Sequence, residues 1–250
     1  LNAINDDRAV TRPNGGALPA VRFEYAPAVS YEDLGSGQVL YSAPGFPAFP
    51  ARVSIELFER ARQIVGRQQV SVWDPMCGAG GIVATLGIAC AHSITNVIAT
   101  DISGDAVWLA RRNLELTSPQ GLSRRANELR QMGANPSRIA SAERLMKLVD
   151  GRAIAFEAAV ADITDKASLP GIDPSMIDIV VTDLPYGSQT HWQTASERPL
   201  VSMLDVLWHV LPRHAVVVVA ATDRSAFDAG PPAYRAFKHG HRTIKMYRAP

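Results

Sequence analysis

The stretch VSVWDPMCGAGGIVATLGIACA, residues 70–91, decides the fold. Its first five residues are a β-branched and aromatic run that ends at Asp74, the length and composition of a buried strand. DPMCGAGG follows, with glycines at 78, 80 and 81, and the apolar run from Ile82 to Ala91 reads as a buried helix. Strand, glycine turn and helix in that order form the first half of a βαβ unit. The glycines let backbone N–H groups and a helix N-terminus approach a ligand with no side chain in the way. A dinucleotide fingerprint would place a third glycine where Val83 stands. Asp74 also sets a carboxylate where a pyrophosphate should lie, so a ligand carrying an amino group suits the turn better.

Working outward, NVIATD (96–101), AIAFEAAVAD (153–162), MIDIVVTD (176–183) and AVVVVAATD (215–223) read as four further strands. Asp74, Asp101, Asp162 and Asp183 then stand at the carboxyl edge of one sheet, where open α/β sheets bind ligands. Asp223 reads as a helix cap. AYRAF and RTIKMYRA flank the turn KHGH and suggest an antiparallel hairpin closing the sheet. Upstream, apolar residues recur at helical spacing over 52–65 and stop at Gly66. Between the second and third strands, a helix from about Gly104 is followed by two more. Asn135 with Pro136 starts the second of these, and Gly133 and Gly151 stand where caps belong. Residues 117–150 are therefore expected to be an inserted helical hairpin. Residues 1–50 hold too many prolines and glycines for long regular elements, and they read as an irregular arm with a short strand at VRFEY, 21–25. The expected architecture is α/β and Rossmann-like: a mostly parallel seven-stranded sheet over 51–250, with the C-terminal hairpin, the helical insert and the N-terminal arm.

At 250 residues, 47% hydrophobic and 20% charged, the chain can bury a substantial core, which excludes a disordered tail or a disulfide miniprotein. Its longest apolar runs, 82–91 and 215–221, fall short of the ~20 residues of a membrane span. The N-terminal residues carry Asp6, Asp7 and Arg8 where a secretory signal needs an apolar core, and two cysteines give no disulfide framework, so a cytoplasmic protein is expected. The six histidines have no metal-ligand spacing, and no metal is expected.

The strand-end acids suggest a nucleoside ligand. Asp101 can accept from ribose hydroxyls, a role shared by dinucleotide and adenosyl ligands. Ile102 beside it is a further candidate for cofactor binding, and Asp162 with Ile163 is placed to hold an adenine by its amino group and face. Pro75, Cys77, Gly78 and Gly80 would line the turn. The most informative motif is TDLPYG, 182–187: an Asp, a Pro and an aromatic at a strand end can hold the N–H edge of a planar base while the tyrosine stacks on its face. Asp183, Pro185 and Tyr186 are the candidate catalytic residues. An NAD-dependent oxidoreductase and a non-catalytic RNA-binding module are the alternatives of other classes.

DPMCGAGG, Asp101, Asp162 and DLPYG in this order resemble the class I S-adenosylmethionine methyltransferases, and within them the branch that modifies base nitrogens. The usual branch motif has two prolines before the aromatic, and here Leu184 replaces the first. The chain as a whole, with its arm, its arginine-rich insert and its ending RTIKMYRAP, resembles the rRNA methyltransferases that confer resistance to orthosomycin antibiotics. The resemblance implies S-adenosylmethionine as cofactor. It also implies 23S rRNA or the large ribosomal subunit as partner, a monomeric enzyme, and methylation of one guanine at N1 rather than N2. A base or amide N-methyltransferase acting on tRNA, DNA or protein is the runner-up.

The net charge of +1 hides opposed parts: +5 over 111–152, −6 over 153–230 and +5 over 231–250. The two basic segments are the expected RNA-facing surfaces. Arg124, Arg125, Arg130 and Arg138 of the insert, Arg235, Lys238, Arg242 and Lys245 of the hairpin, and Trp192 after the TDLPYG motif are the candidate RNA contacts.

Overall fold

The computed structural model describes residues 18–35, 37–149, 151, 153–169, 173–185 and 198–249. Helix α1 (Ala51–Val65) begins after Pro50 and ends at Gly66, whose N–H donates to the Arg62 carbonyl at 2.9 Å. The chain then enters β1 (Val70–Asp74), turns through the glycines, and forms α2 (Gly81–Ala89). Strand β2 (Ile94–Asp101) and helix α3 (Gly104–Glu115), capped by the Ser103 hydroxyl, complete the unit. The insert is a helical hairpin of α4 (Pro119–Gln131) and α5 (Pro136–Val149). The chain continues through β3 (Ala155–Val160), β4 (Ile179–Asp183), α6 (Pro199–Val210), β5 (Val216–Ala221), β6 (Arg235–His239) and β7 (Arg242–Arg248).

The seven strands lie in the order β3-β2-β1-β4-β5-β7-β6. The first five are parallel, and β7 runs antiparallel to β5 and to β6. From β1 the chain steps outward through β2 and β3, then returns to lay β4 on the other side of β1. The reversal leaves a switch point between the carboxyl ends of β1 and β4, the ends that carry Asp74 and Asp183. All five residues of β1 are buried, as in a parallel strand covered on both faces. One core joins α1, α2 and α3 to one face through Phe58, Leu86, Val107 and Leu114. The other face holds Trp73, Val180 and Val217 against Met203 and Leu207 of α6. A third cluster lies apart from the sheet. Leu122, Leu129 and Leu145 of the insert meet Ile88 of α2 and Leu34, Val39 and Leu40 of the arm.

VRFEY is not a strand. Its neighbourhood makes one isolated parallel bridge at Ala20, with Val21 N–H to the Lys238 carbonyl at 2.9 Å and Lys238 N–H to the Pro19 carbonyl at 2.8 Å. Beyond it, the N–H groups of Glu24, Tyr25 and Ala26 all converge on the buried Glu56 carboxylate at 2.8–3.1 Å, with Arg60 donating to it at 2.7 Å. Three successive N–H groups aimed at one acceptor demand a curled backbone, because a strand would point them alternately to opposite sides.

Candidate active site

The switch point opens into a cleft of about 420 Å³ lined by the glycine turn, the strand-end acids and the arm. Gly78 and Gly80 take the left-handed backbone conformation at φ +51° and +73°. A Cβ on Gly80 would come within 2.9 Å of Ala110 Cα and Cβ on α3, so only glycine lets the turn lie this close to that helix. A Cβ on Gly78 would point instead toward Phe46 of the arm, at 3.5 Å. The turn is fixed from below by Cys77 N–H to the Thr100 carbonyl at 2.9 Å, and by Gly78 N–H to Asp101 Oδ2 at 2.9 Å.

Asp74 is 1% exposed at the base of this turn. Burial pushes its carboxyl up to about 8 against the pull of the Thr182 hydroxyl and the Met76 N–H, and the neighbouring Asp101 and Asp183 carboxylates raise it further. Such a group ionises readily only when a cation arrives beside it. Asp101 is also raised by burial, against the Ser103, Gly78 and Ile102 N–H groups. Ile102 stands 42% exposed at the cleft, unusual for its type and suited to covering a flat ring. Asp162 and the buried Ile163 line the same cleft, and Asp162 Oδ1 accepts from Thr164 N–H and hydroxyl at 2.8 and 2.6 Å. Pro75 and Cys77 complete the floor.

At the end of β4, Leu184 donates its N–H to the Ala220 carbonyl at 2.8 Å and buries its side chain against the α6 face. A proline here has no N–H, so leucine extends the β4–β5 ladder by one residue. Asp183 just before it is 13% exposed. Its Oδ2 accepts from Arg242 Nε and Nη2 at 3.3 and 3.2 Å. Its Oδ1 is buried and has no hydrogen-bond partner among the described residues. Burial pushes this carboxyl up to about 6 despite Arg242. Pro185 lines the cleft, while Tyr186 and Trp192 lie outside the described residues.

The family model for the rRNA methyltransferase AviRa matches residues 21–242. The chain belongs to the AviRa family of rRNA methyltransferases. It is 36% identical over 232 residues to the 23S rRNA (guanine(2535)-N(1))-methyltransferase of Streptomyces viridochromogenes, spanning 88% of this chain and 93% of that protein. Two solved structures of the rRNA methyltransferase aviRa from that organism match at a TM-score of 0.80 and 36% identity, covering 92% of this chain and 97% of theirs. The oxidoreductase alternative and that of a module without catalysis fall with this membership.

In this AviRa-family chain the arm is part of the site, which the sequence reading missed. Residues 40–49 supply much of the cleft wall, including Tyr41, Phe46 and Phe49. The arginine-rich insert holds them there. Arg125, expected to face RNA, is 6% exposed: its Nε donates to the Val39 carbonyl at 2.8 Å, and its guanidinium lies 4.0 Å over the Tyr41 ring. Arg112 of α3 packs on the same ring at 3.8 Å, and the Tyr41 hydroxyl donates to Glu128 at 2.6 Å. Arg138 donates to the Gln38 carbonyl at 3.0 Å, and Arg144 pairs with Asp33 at 2.6 Å. Arg124 pairs with Glu115 at 3.2 Å, and Arg130 pairs with Glu143. The excess charge of the insert therefore serves carbonyls, an aromatic ring and acids within the fold. The signal in the sequence was APGFPAFP, 43–50, two phenylalanines spaced by prolines in a segment with no core of its own.

The terminal hairpin presents its cations differently. Arg235 and Arg248 flank the Tyr234 ring at 5.5 and 4.2 Å, Lys238 is exposed, and Lys245 lies 4.8 Å over Phe227. Arg242 reaches the cleft acid Asp183, and it packs 5.0 Å over Phe49 of the arm. Among the described residues no group of His, Cys, Asp or Glu could hold a metal ion, and no helix is long and apolar enough to cross a membrane.

Proposed function

We propose that this protein transfers a methyl group from S-adenosylmethionine to N1 of a guanine in 23S rRNA, free or in the large ribosomal subunit. This activity belongs in the cytoplasm and protects the ribosome from an orthosomycin antibiotic. The cofactor assignment is supported by the fit of the cleft to the chemistry of that molecule. Asp74, costly to ionise alone, matches a ligand ammonium. The glycine turn leaves the space that a side chain would fill, Asp101 suits ribose hydroxyls, and Ile102, Asp162 and Ile163 suit an adenine. When bound, this cofactor supplies a methyl carbon on a sulfonium, and the carbon–sulfur bond breaks with its electron pair retained by sulfur. Pro75, Cys77, Gly78 and Gly80 shape the pocket around it.

The single observation that carries the substrate assignment is the buried Oδ1 of Asp183 at the switch point, which has no hydrogen-bond partner among the described residues. An N–H on the edge of a base meets there an acceptor that no described residue satisfies. N1 of guanine bears the proton that must leave for methylation, and a carboxyl whose ordinary range is raised by burial is a stronger base than one in water. A base in structured RNA must first be unstacked, at a cost of a few kcal/mol, and one aromatic stack returns about 1–3 kcal/mol. Tyr186 is the residue we assign to that stack, with Trp192 as a further contact. Phosphates of the surrounding RNA are assigned to Arg235, Lys238 and Lys245, with the partly exposed Arg124 and Arg130 at the other basic surface.

Single-turnover methylation of 23S rRNA by Asp183→Ala tests this reading. A rate at least ~100-fold below wild type is expected for loss of a general base. Near-normal turnover would remove Asp183 from the reaction.

A further inference from the structure

Among the hairpin cations, Arg242 differs in what it touches. It leaves β7, crosses the carboxyl edge of β5 and β4, and ends on Asp183 rather than at the surface. Its Nε and Nη2 donate to the same oxygen of Asp183, Oδ2, at 3.3 and 3.2 Å. The guanidinium is 16% exposed and packs against Phe49, itself part of the cleft wall. A pair bonded through one carboxylate oxygen fixes the rotation of the carboxylate and assigns the two oxygens different tasks.

We propose that Arg242 is a positioning residue for methyl transfer, which holds Asp183 by Oδ2 so that Oδ1 faces the N1–H of the target guanine. This inference rests on the guanine-N1 reading of the site. In the step it supports, the electron pair of the N1–H bond forms the new bond from N1 to the methyl carbon. The proton passes to Oδ1 and from there to water, so Asp183 begins and ends the cycle ionised. The guanidinium takes no proton and forms no bond.

The surroundings of Asp183 explain why a cation is required. Burial disfavours its charge, and Asp74 at the end of β1 is a second carboxyl close enough to feel it. Arg242 from β7 is a cation that opposes both. His239 of β6 also lies near Arg242, and burial and that guanidinium hold its ring below the ordinary imidazole range. Without the guanidinium, Asp183 would take up its proton at higher pH, and fewer molecules would hold the base form in the neutral range.

The test is the pH dependence of single-turnover methylation at saturating rRNA and cofactor, for wild type, Arg242→Gln, Arg242→Lys, His239→Gln and Asp183→Asn. S-adenosylhomocysteine binding by calorimetry checks that each variant retains its cleft. In Arg242→Gln the acidic limb moves to higher pH by about 1 unit or more, and the rate at pH 6.5 falls by roughly threefold or more. Arg242→Lys returns the limb most of the way, and His239→Gln leaves it in place. If Arg242→Gln fails to bind S-adenosylhomocysteine, the limb of Arg242→Lys decides, since a lysine that holds charge without the fork gives a partial shift. A wild-type limb and rate in Arg242→Gln beside an inactive Asp183→Asn would overturn the role of Arg242 and leave the N1 reading intact. Full activity in Asp183→Asn would overturn the reading itself.

Discussion

Asn113 and Tyr41 exchange two hydrogen bonds: Tyr41 N–H donates to Asn113 Oδ1 at 2.7 Å, and Asn113 Nδ2 donates to the Tyr41 carbonyl at 2.9 Å. The same Nδ2 reaches the Ala79 carbonyl in the glycine turn at 2.7 Å, and Asn113 is 1% exposed. One side chain on α3 thus ties the roof of the cleft to its floor. The arrangement satisfies three backbone groups that no strand or helix serves.

Asn113→Leu keeps the volume and removes every one of these bonds. Three part-buried backbone groups losing a partner, at ~1 kcal/mol each, give a loss of about 3 kcal/mol in urea denaturation. S-adenosylhomocysteine affinity falls with it, because the roof is no longer held. A variant that matches wild type in both would show that the arm is fixed by other contacts.

The insert and the hairpin are both basic, and their arginines have separable effects. Arg125→Met strips a charged hydrogen bond from the Val39 carbonyl and a cation from the Tyr41 ring, costing about 2–3 kcal/mol of stability. It leaves the salt dependence of rRNA binding unchanged. Arg235→Ala with Lys238→Ala has the opposite profile, lowering the log–log salt slope by roughly 1.4, about 0.7 per single-strand phosphate contact. Filter binding over a range of salt, paired with denaturation, reads both. An altered slope in Arg125→Met would return Arg125 to the RNA surface.

The two left-handed glycines of the turn at the cleft, Gly78 and Gly80, fail in different ways when given a methyl group. Gly80→Ala forces Cβ to 2.9 Å from Ala110 and strains φ, a destabilisation of about 2 kcal/mol or more. Gly78→Ala meets only Phe46 at 3.5 Å and pays the backbone strain of about 1–2 kcal/mol. Its larger effect falls on S-adenosylhomocysteine binding, since the methyl projects between turn and arm. Equal stability losses would contradict the packing described for Gly80.

Much of this is legible in the sequence, for reasons specific to the elements concerned. The βαβ unit at 70–91 is a local pattern of β-branched residues, glycines and an apolar helix, and the acids at strand ends announce themselves by position. The inserted hairpin was marked by Asn135, Pro136 and Gly133. What the sequence did not show was pairing across distance. Arg125 and Arg124 are adjacent, yet one is buried on Val39 and Tyr41, and the other lies on the surface with Glu115. Charge counts treat them alike. VRFEY has strand composition, but a buried carboxylate 30 residues away captures the backbone at Ala26. Arg242 looked like one more RNA cation because nothing local reveals that β7 begins beside Asp183.

Asp74 couples binding to protons. Its carboxyl sits at about 8 in the folded protein against the ordinary 3.8, so between those values the folded chain holds a proton that the unfolded chain has lost. Stability of the ligand-free protein therefore falls as pH rises through this window, and Asp74→Asn flattens that part of the profile. A ligand ammonium favours the ionised form, so S-adenosylhomocysteine binding near pH 7 releases a proton. Calorimetry in buffers of different ionisation enthalpy measures it. No release in wild type, or the same release in Asp74→Asn, would separate Asp74 from the ligand amine.

The central claim, methylation of a guanine at N1, is tested most directly by digesting 23S rRNA to nucleosides after incubation with the protein and labelled S-adenosylmethionine, and identifying the labelled product by mass spectrometry against standards. The account predicts 1-methylguanosine at a single site. Label in N2-methylguanosine, in another nucleoside or in none would contradict it.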